Sequence, residues 1–296
     1  MAAFTARRKV DQAILGVLAV VATVLSSCGG AKPVATPTTT QAPLPSPAQQ
    51  NATHQAKIDY RRLVVHAAEG FAKATIALNT ALDHNDHAEA VKQWAIAQGD
   101  FDALRPAMFG GPAASAAYDG LVADFAPGEL PVGLHRVEQG LFTGHDDLAR
   151  RAAPALAQAG PAIVIGLYRT IVQPSGVATK QVEQLGFLVD HVIAHHQEVF
   201  SHLDQIDVAA IVGSVRNGFS AIAPLGVLVD PSLTAKTERD LVELEHGARA
   251  IAPGTKNENV APALWRRLGE AAAKLQVDFG QLSGEFSGYS TGRAYA

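Results

Sequence analysis

The run YRRLVVHAAEGFAKATIALNTA, residues 60–81, decides the fold. Tyr60, Val64, Ala67, Phe71, Ala74, Leu78 and Ala81 recur in it at alternating spacings of four and three. That spacing sets them on one stripe of a helix with about 3.6 residues per turn. A half-buried strand would alternate at period two, and few runs in the chain do so. The small side chains of Ala67, Ala74 and Ala81 predict a second helix lying close by, as in bundles packed at small crossing angles.

The same signature recurs along the chain. Asp86 followed by Glu89 opens a second helix that carries Val91, Trp94, Phe101 and Leu104 and stops at Pro106. Further helical stretches are predicted at Gly133 to Phe142, Asp146 to Val172, Thr179 to Ala194, Asp204 to Ala223, Leu233 to Ile251 and Ala261 to Phe286. Their breaks fall at Gly144, Pro174 to Gly176, Pro224 to Pro231 and Pro253-Gly254, while Gly160-Pro161 is placed to split or kink one helix. Ala162 to Tyr168, the one stretch with some strand character, lies inside a helical pattern and reads as a buried helix. The expected class is all-α, an up-and-down helical bundle.

Composition supports a sizeable core: 48% of the 296 residues are hydrophobic and 18% charged. Acidic residues outnumber basic ones, 28 to 24, and no Lys/Arg cluster is present to neutralise phosphates, so nucleic acid is excluded as a partner. A modest acidic excess suits a cationic ligand.

At the amino terminus Arg7, Arg8 and Lys9 precede an uncharged run from Ala13 to Leu25, followed by Ser26, Ser27, Cys28, Gly29 and Gly30. Basic start, short apolar core and small residues before a cut describe a secretory signal. The run falls short of the roughly twenty residues of a membrane span. Leu25-Ser26-Ser27-Cys28 resembles the lipobox of bacterial lipoproteins, which implies cleavage before Cys28 and its acylation with palmitate-type chains. A lone cysteine cannot form an internal disulfide, which agrees with a lipidation role. Residues 1–27 therefore read as a lipoprotein signal peptide. Residues 28–52 read as a linker, with Pro33, Pro37, Pro43, Pro45 and Pro47 around Thr38-Thr39-Thr40. Residues 53–296 read as the helical domain.

Chemistry is sought in the segment Gly133-Leu134-His135-Arg136-Val137-Glu138, followed by Leu141-Phe142. His135 and Glu138 stand three apart, so on a helix both project from one face and can converge on one ion. An imidazole nitrogen with a carboxylate oxygen suits iron, zinc or manganese better than copper(I). On spacing alone a solvated surface pair is the commoner reading. His191, His195, Glu198 and His202 fall at spacings of four, three and four, which an unbroken helix would align. A break between Ala194 and Asp204 is expected instead, leaving solvated histidines, His196 among them.

The first of these segments resembles the Gly-Phe-His-Arg-Ile-Glu motif of the imelysin-like family, which includes the EfeO component of bacterial ferrous-iron uptake. Phe200-Ser201-His202-Leu203-Asp204-Gln205-Ile206-Asp207 resembles that family's Tyr-Ser-His-Thr-Asp-Leu-Trp-Asp. Phe101-Asp102 and Pro106 are similar to its Tyr-Glu-Arg-Ile-Glu-Pro segment, and Asp119 falls onto a family aspartate. The resemblance runs from about Lys57 to the end of the chain. Arg105, Gln98 and Ala113 to Ser115 depart from it, which reshapes or thins the ligand shell. The amino-terminal cupredoxin domain of longer EfeO proteins has no counterpart, as in the shorter EfeM-type members.

The resemblance implies two packed four-helix-type bundles. It also implies His135 and Glu138 as metal ligands joined by Asp102 and Asp119, with His202, Asp204 and Asp207 as a secondary site; an N-cap role for Asp204 stays open. The ion implied is iron, with zinc or another divalent cation as alternatives. The implied partners are a membrane permease of an iron-uptake system, with or without a haem peroxidase, and the lipid bilayer through Cys28. The implied location is the extracytoplasmic, periplasmic face of the cell membrane. Two other functions stay open: a metallopeptidase of the His-x-x-Glu type, and a metal-free surface or polysaccharide-binding helical module. A zinc peptidase needs about three ligands, an open position and a base, of which the motif by itself supplies two groups.

Overall fold

Ser46 opens the first helix of the protein, whose computed structural model describes residues 44–108 and 131–290. Cys28, the signal segment and Asp119 lie outside the described residues. Among those described there are eight α-helices and no strand. They are α1 Pro47–Asp83, α2 His87–Leu104, α3 Gly133–Phe142, α4 Asp146–Tyr168, α5 Pro174–Phe187, α6 Gln205–Val229, α7 Pro231–Arg249 and α8 Pro262–Ser290.

Helix α1 begins inside the segment expected to be linker, so the folded domain takes in Pro47 to Ala52 as well. The reason is a complete capping box. Gln49 N–H donates to Ser46 Oγ at 3.3 Å and Ser46 N–H donates to Gln49 Oε1 at 2.8 Å, while Pro47 occupies a first-turn position whose N–H is not needed. The predicted stripe points inward: Tyr60, Val64, Phe71, Ala74, Leu78 and Ala81 are buried. Close approach to a neighbour occurs one position from that stripe, where a Cβ on Gly160 of α4 would lie 2.7 Å from Ala72 Cα.

Two prolines expected to end or kink helices, Pro161 and Pro224, are absorbed, and Pro154 is accommodated in the same way. Pro154 and Pro161 sit inside α4 and Pro224 inside α6, and each is on the exposed face. The carbonyls they leave without an amide partner are therefore on the side where water reaches. Pro174 starts α5 instead of breaking the chain before it.

The helices form two four-helix sets. In the first, α1 packs on α2 and α4, and α3 packs on α4; in the second, α5 and α7 pack on α8 and α6 packs on α5 and α7. Helix α6 joins the sets by packing on α1 and α2 as well. Trp94, Phe71, Phe101, Phe219, Phe279 and Phe286 fill the continuous core. Helix α5 runs on into a π-helical turn, Leu188–Ile193, and residues 196–204 then follow a non-helical path to α6.

Where α1 and α2 meet, Gly70 makes room for a half-buried carboxyl: a Cβ there would lie 2.3 Å from Asp100 Oδ2. Burial pushes Asp100 up to about 6, partly offset by His66. Its proton is thus held more tightly in the folded than in the unfolded chain, so this group's contribution to stability is greatest in acid and is lost as pH rises from about 4 to 6. Asp100→Asn is expected to be more stable than wild type near pH 7.5, with the advantage disappearing near pH 4. Urea unfolding at the two pH values measures it.

Candidate metal centre

Helix α3 is short and buried on nearly every side. Leu134, Val137, Gly140 and Leu141 are buried along with His135 and Glu138, so both polar side chains are taken out of water. Gly133, at φ 60°, lets the chain turn into the helix where a side chain would be strained. At Gly140 a Cβ would lie 2.6 Å from Ala149 N, which is how α3 comes to lie so closely on α4.

The i,i+3 spacing works as the sequence predicts: His135 Nδ1 lies 3.1 Å from Glu138 Oε2. A third group joins them. Glu198, from the non-helical segment before α6, places its Oε2 4.0 Å from His135 Nδ1. His135, Glu138 and Glu198 are each 0% exposed, and one ligand atom from each lies within 4.8 Å of the others. Metal–ligand bonds of about 2.0–2.2 Å put neighbouring ligand atoms roughly 3–4 Å apart, so small adjustments let the three atoms share one ion.

The 196–204 segment builds the rest of the site. Phe200 and Ser201 donate their backbone N–H groups to Glu138 Oε1 at 3.1 and 2.8 Å, leaving Oε2 turned toward His135. Gln197 Nε2 lies 3.0 Å from His135 Nε2, on the far side of the ring. Asp204 Oδ1 accepts the Glu198 N–H at 2.8 Å, and its Oδ2 lies 2.7 Å from His196 Nδ1. Burial pushes Asp204 above the usual carboxylate value, opposed by the Glu198 N–H and by His196. Asn257 fastens the segment from outside, its Oδ1 accepting the Asp204 N–H and its own N–H donating to His202 O.

The two stretches with family resemblance therefore meet in space, Glu138 of one held by the first two amides of the other. Other expected site residues are placed differently. Asp102 is fully buried but faces Arg105, whose Nη2 donates to Asp102 Oδ1 at 2.7 Å, and it is not in the three-residue group. The Arg105 guanidinium lies 4.9 Å from the Phe101 ring centre and 4.1 Å from that of Phe187, so the departure at this position supplies Asp102 with a counter-charge.

His202 is exposed at φ 61°, and neither it, Asp204 nor Asp207 enters the group. Asp204 occupies the N-cap position of α6 without capping it; its carboxylate holds the Glu198 loop instead. Asp207 is buried in the first turn of α6, where a carboxylate suits the helix dipole. The histidine alignment fails because the helix ends: His195 is exposed while Glu198 turns into the core.

Gln197 escapes a reading of the sequence as a site residue, and Glu198 enters one only through its helical spacing with His191, His195 and His202, not as a partner of His135 and Glu138. The one signal for Gln197 is position, just ahead of the Phe200 to Asp207 stretch. No protein-family model and no curated protein matches this chain.

Two carboxylates and an imidazole gathered in a dry interior repel unless a proton or cation lies among them. With His135 neutral and both glutamates ionised the set carries two negative charges, which a divalent ion would neutralise. The mixed nitrogen and oxygen donors fit iron, zinc or manganese.

Proposed function

We propose that this chain is a lipid-anchored, extracytoplasmic metal-binding protein that holds an iron ion among His135, Glu138 and Glu198 and passes it to a membrane permease. The observation that carries the reading is the convergence of these three donors, all 0% exposed, around one point. Iron is chosen on the resemblance to the ferrous-iron uptake family; the donor set by itself also accepts zinc or manganese. Enclosure favours a bare ion over a polypeptide, because a peptidase centre must leave an open position in a cleft.

Location follows from the lipobox at Cys28 and the proline-rich stretch after it. Tethering keeps the binding domain at high local concentration near its permease. Loading and release are assigned to the 196–204 segment, which contributes Glu198 and two amide donors without being held in a helix.

The test is metal analysis and anaerobic ferrous-iron titration of the full chain in detergent, beside the His135→Ala/Glu138→Ala variant. Wild type is expected to take up about one ion per chain, and the variant to bind at least roughly 100-fold more weakly. Equal binding by the two proteins would remove the site.

A further inference from the structure

We infer that Gln197 is a positioning residue that sets which nitrogen of His135 carries the proton, and that its side-chain amide makes a half-turn when the ion is loaded. This rests on the metal-site reading above.

A neutral imidazole has one N–H and one lone pair. The nitrogen facing both carboxylates is Nδ1, 3.1 Å from Glu138 Oε2 and 4.0 Å from Glu198 Oε2. Those oxygens make opposite demands in the two states. Without an ion, the 3.1 Å contact of Nδ1 with the Glu138 carboxylate is a hydrogen bond when Nδ1 carries the proton. With an ion between them, Nδ1 must offer its lone pair and the proton must sit on Nε2.

Gln197 meets the ring on that second nitrogen. Its Nε2 is 3.0 Å from His135 Nε2, and the residue is 2% exposed. An amide NH2 only donates, so this contact requires a lone pair on Nε2 and leaves the proton on Nδ1, aimed at Glu138. It is the arrangement that suits the ion-free site. Once Nε2 is protonated, two N–H groups would oppose each other. A half-turn of the amide brings Oε1 to the same place, where it accepts the Nε2 proton. The ring loses one proton to water from Nδ1 and gains one from water at Nε2, so it stays neutral throughout.

The surroundings confine the change to this side chain. Asp204 holds both neighbours of Gln197, the His196 ring through Oδ2 and the Glu198 N–H through Oδ1. Glutamine is suited to the position because it can both donate and accept there. Ionised glutamate would only accept, and methionine offers no donor and only a weak acceptor.

The experiment is nitrogen-15 NMR of the histidine rings in the full chain in detergent, ion-free and loaded with zinc, with His135 assigned by its missing signal in His135→Ala. Zinc affinity is measured for wild type, Gln197→Glu and Gln197→Met. The expected result is Nδ1 protonation without zinc and Nε2 protonation with it. Gln197→Glu is expected to hold the proton on Nε2 in both states and to bind zinc about tenfold more tightly, and Gln197→Met to bind about tenfold more weakly. Zinc uptake with Nε2 already protonated in the ion-free protein overturns the Gln197 inference alone, as do equal shifts of affinity in the two variants. Wild type that takes up no zinc overturns the metal-site reading together with the loaded half of the inference.

Discussion

Glu198→Gln is expected to weaken metal binding by at least roughly 100-fold, or about 2.7 kcal/mol, while making the ion-free protein more stable. The substitution keeps the shape of the side chain and leaves the backbone N–H on Asp204 Oδ1 untouched. It removes one of two carboxylates gathered with His135 where none of the three is exposed. With an ion present, the loss is a ligand and a counter-charge. Without one, the loss is a like-charge repulsion in a dry site, and relieving it contributes stability on the order of 1–3 kcal/mol. Titration gives the first quantity and urea unfolding in chelator the second. Opposite signs are the mark of a site kept for binding at a cost in stability. If ion-free stability fell and metal affinity held, Glu198 would be a structural residue and the centre would lose a third of its donors.

Arg105→Met is expected to destabilise the fold by about 3–5 kcal/mol, because it leaves Asp102 buried and charged without its partner. Asp102 is 0% exposed, and the bond to Arg105 Nη2 is 2.7 Å. Methionine retains much of the packing against Phe101 and Phe187, so the loss reports charge more than volume. Adding Asp102→Asn to Arg105→Met is expected to recover most of that loss, since the residual polar group is neutral. Urea unfolding of the two single variants, the double variant and wild type completes the cycle. The same proteins address the role of Asp102 as a ligand. Asp102→Asn should leave metal affinity within a few-fold of wild type, and a 100-fold loss would return Asp102 to the centre.

Much of the architecture was readable along the chain. The stripe from Tyr60 to Ala81 predicted α1, and its large members are buried as the spacing required. Errors gathered at the ends and at proline. The capping box at Ser46 was hidden by the surrounding prolines, which made Pro47 to Ala52 look like linker. Pro161 and Pro224 looked like breaks because a lone helix loses a hydrogen bond and gains a clash at each. In the fold each faces outward, and core contacts on the opposite side keep the helix continuous.

The site was half readable. His135 and Glu138 belong together because one turn of helix places i and i+3 on the same face wherever that helix lies. Glu198 arrives about 60 residues later, from a stretch that gives up helical geometry after a π turn. Read as a helix, it aligned with histidines that in fact point elsewhere. Asp102 carries the opposite lesson. Its carboxylate matched a ligand position by resemblance, yet Arg105, three residues on, claims it first.

The sequence by itself determined the helical class, the faces that turn inward and the pairing of His135 with Glu138. All three depend on the pitch of a helix, which couples residues only a turn or two apart. The tertiary structure alone decided that Glu198 meets that pair, that the amides of Phe200 and Ser201 orient Glu138, and that Asp102 spends its charge on Arg105. Those meetings depend on how two four-helix sets pack and on where a non-helical segment crosses between them. No local periodicity encodes that path, because it is set by many weak contacts between residues distant in the chain.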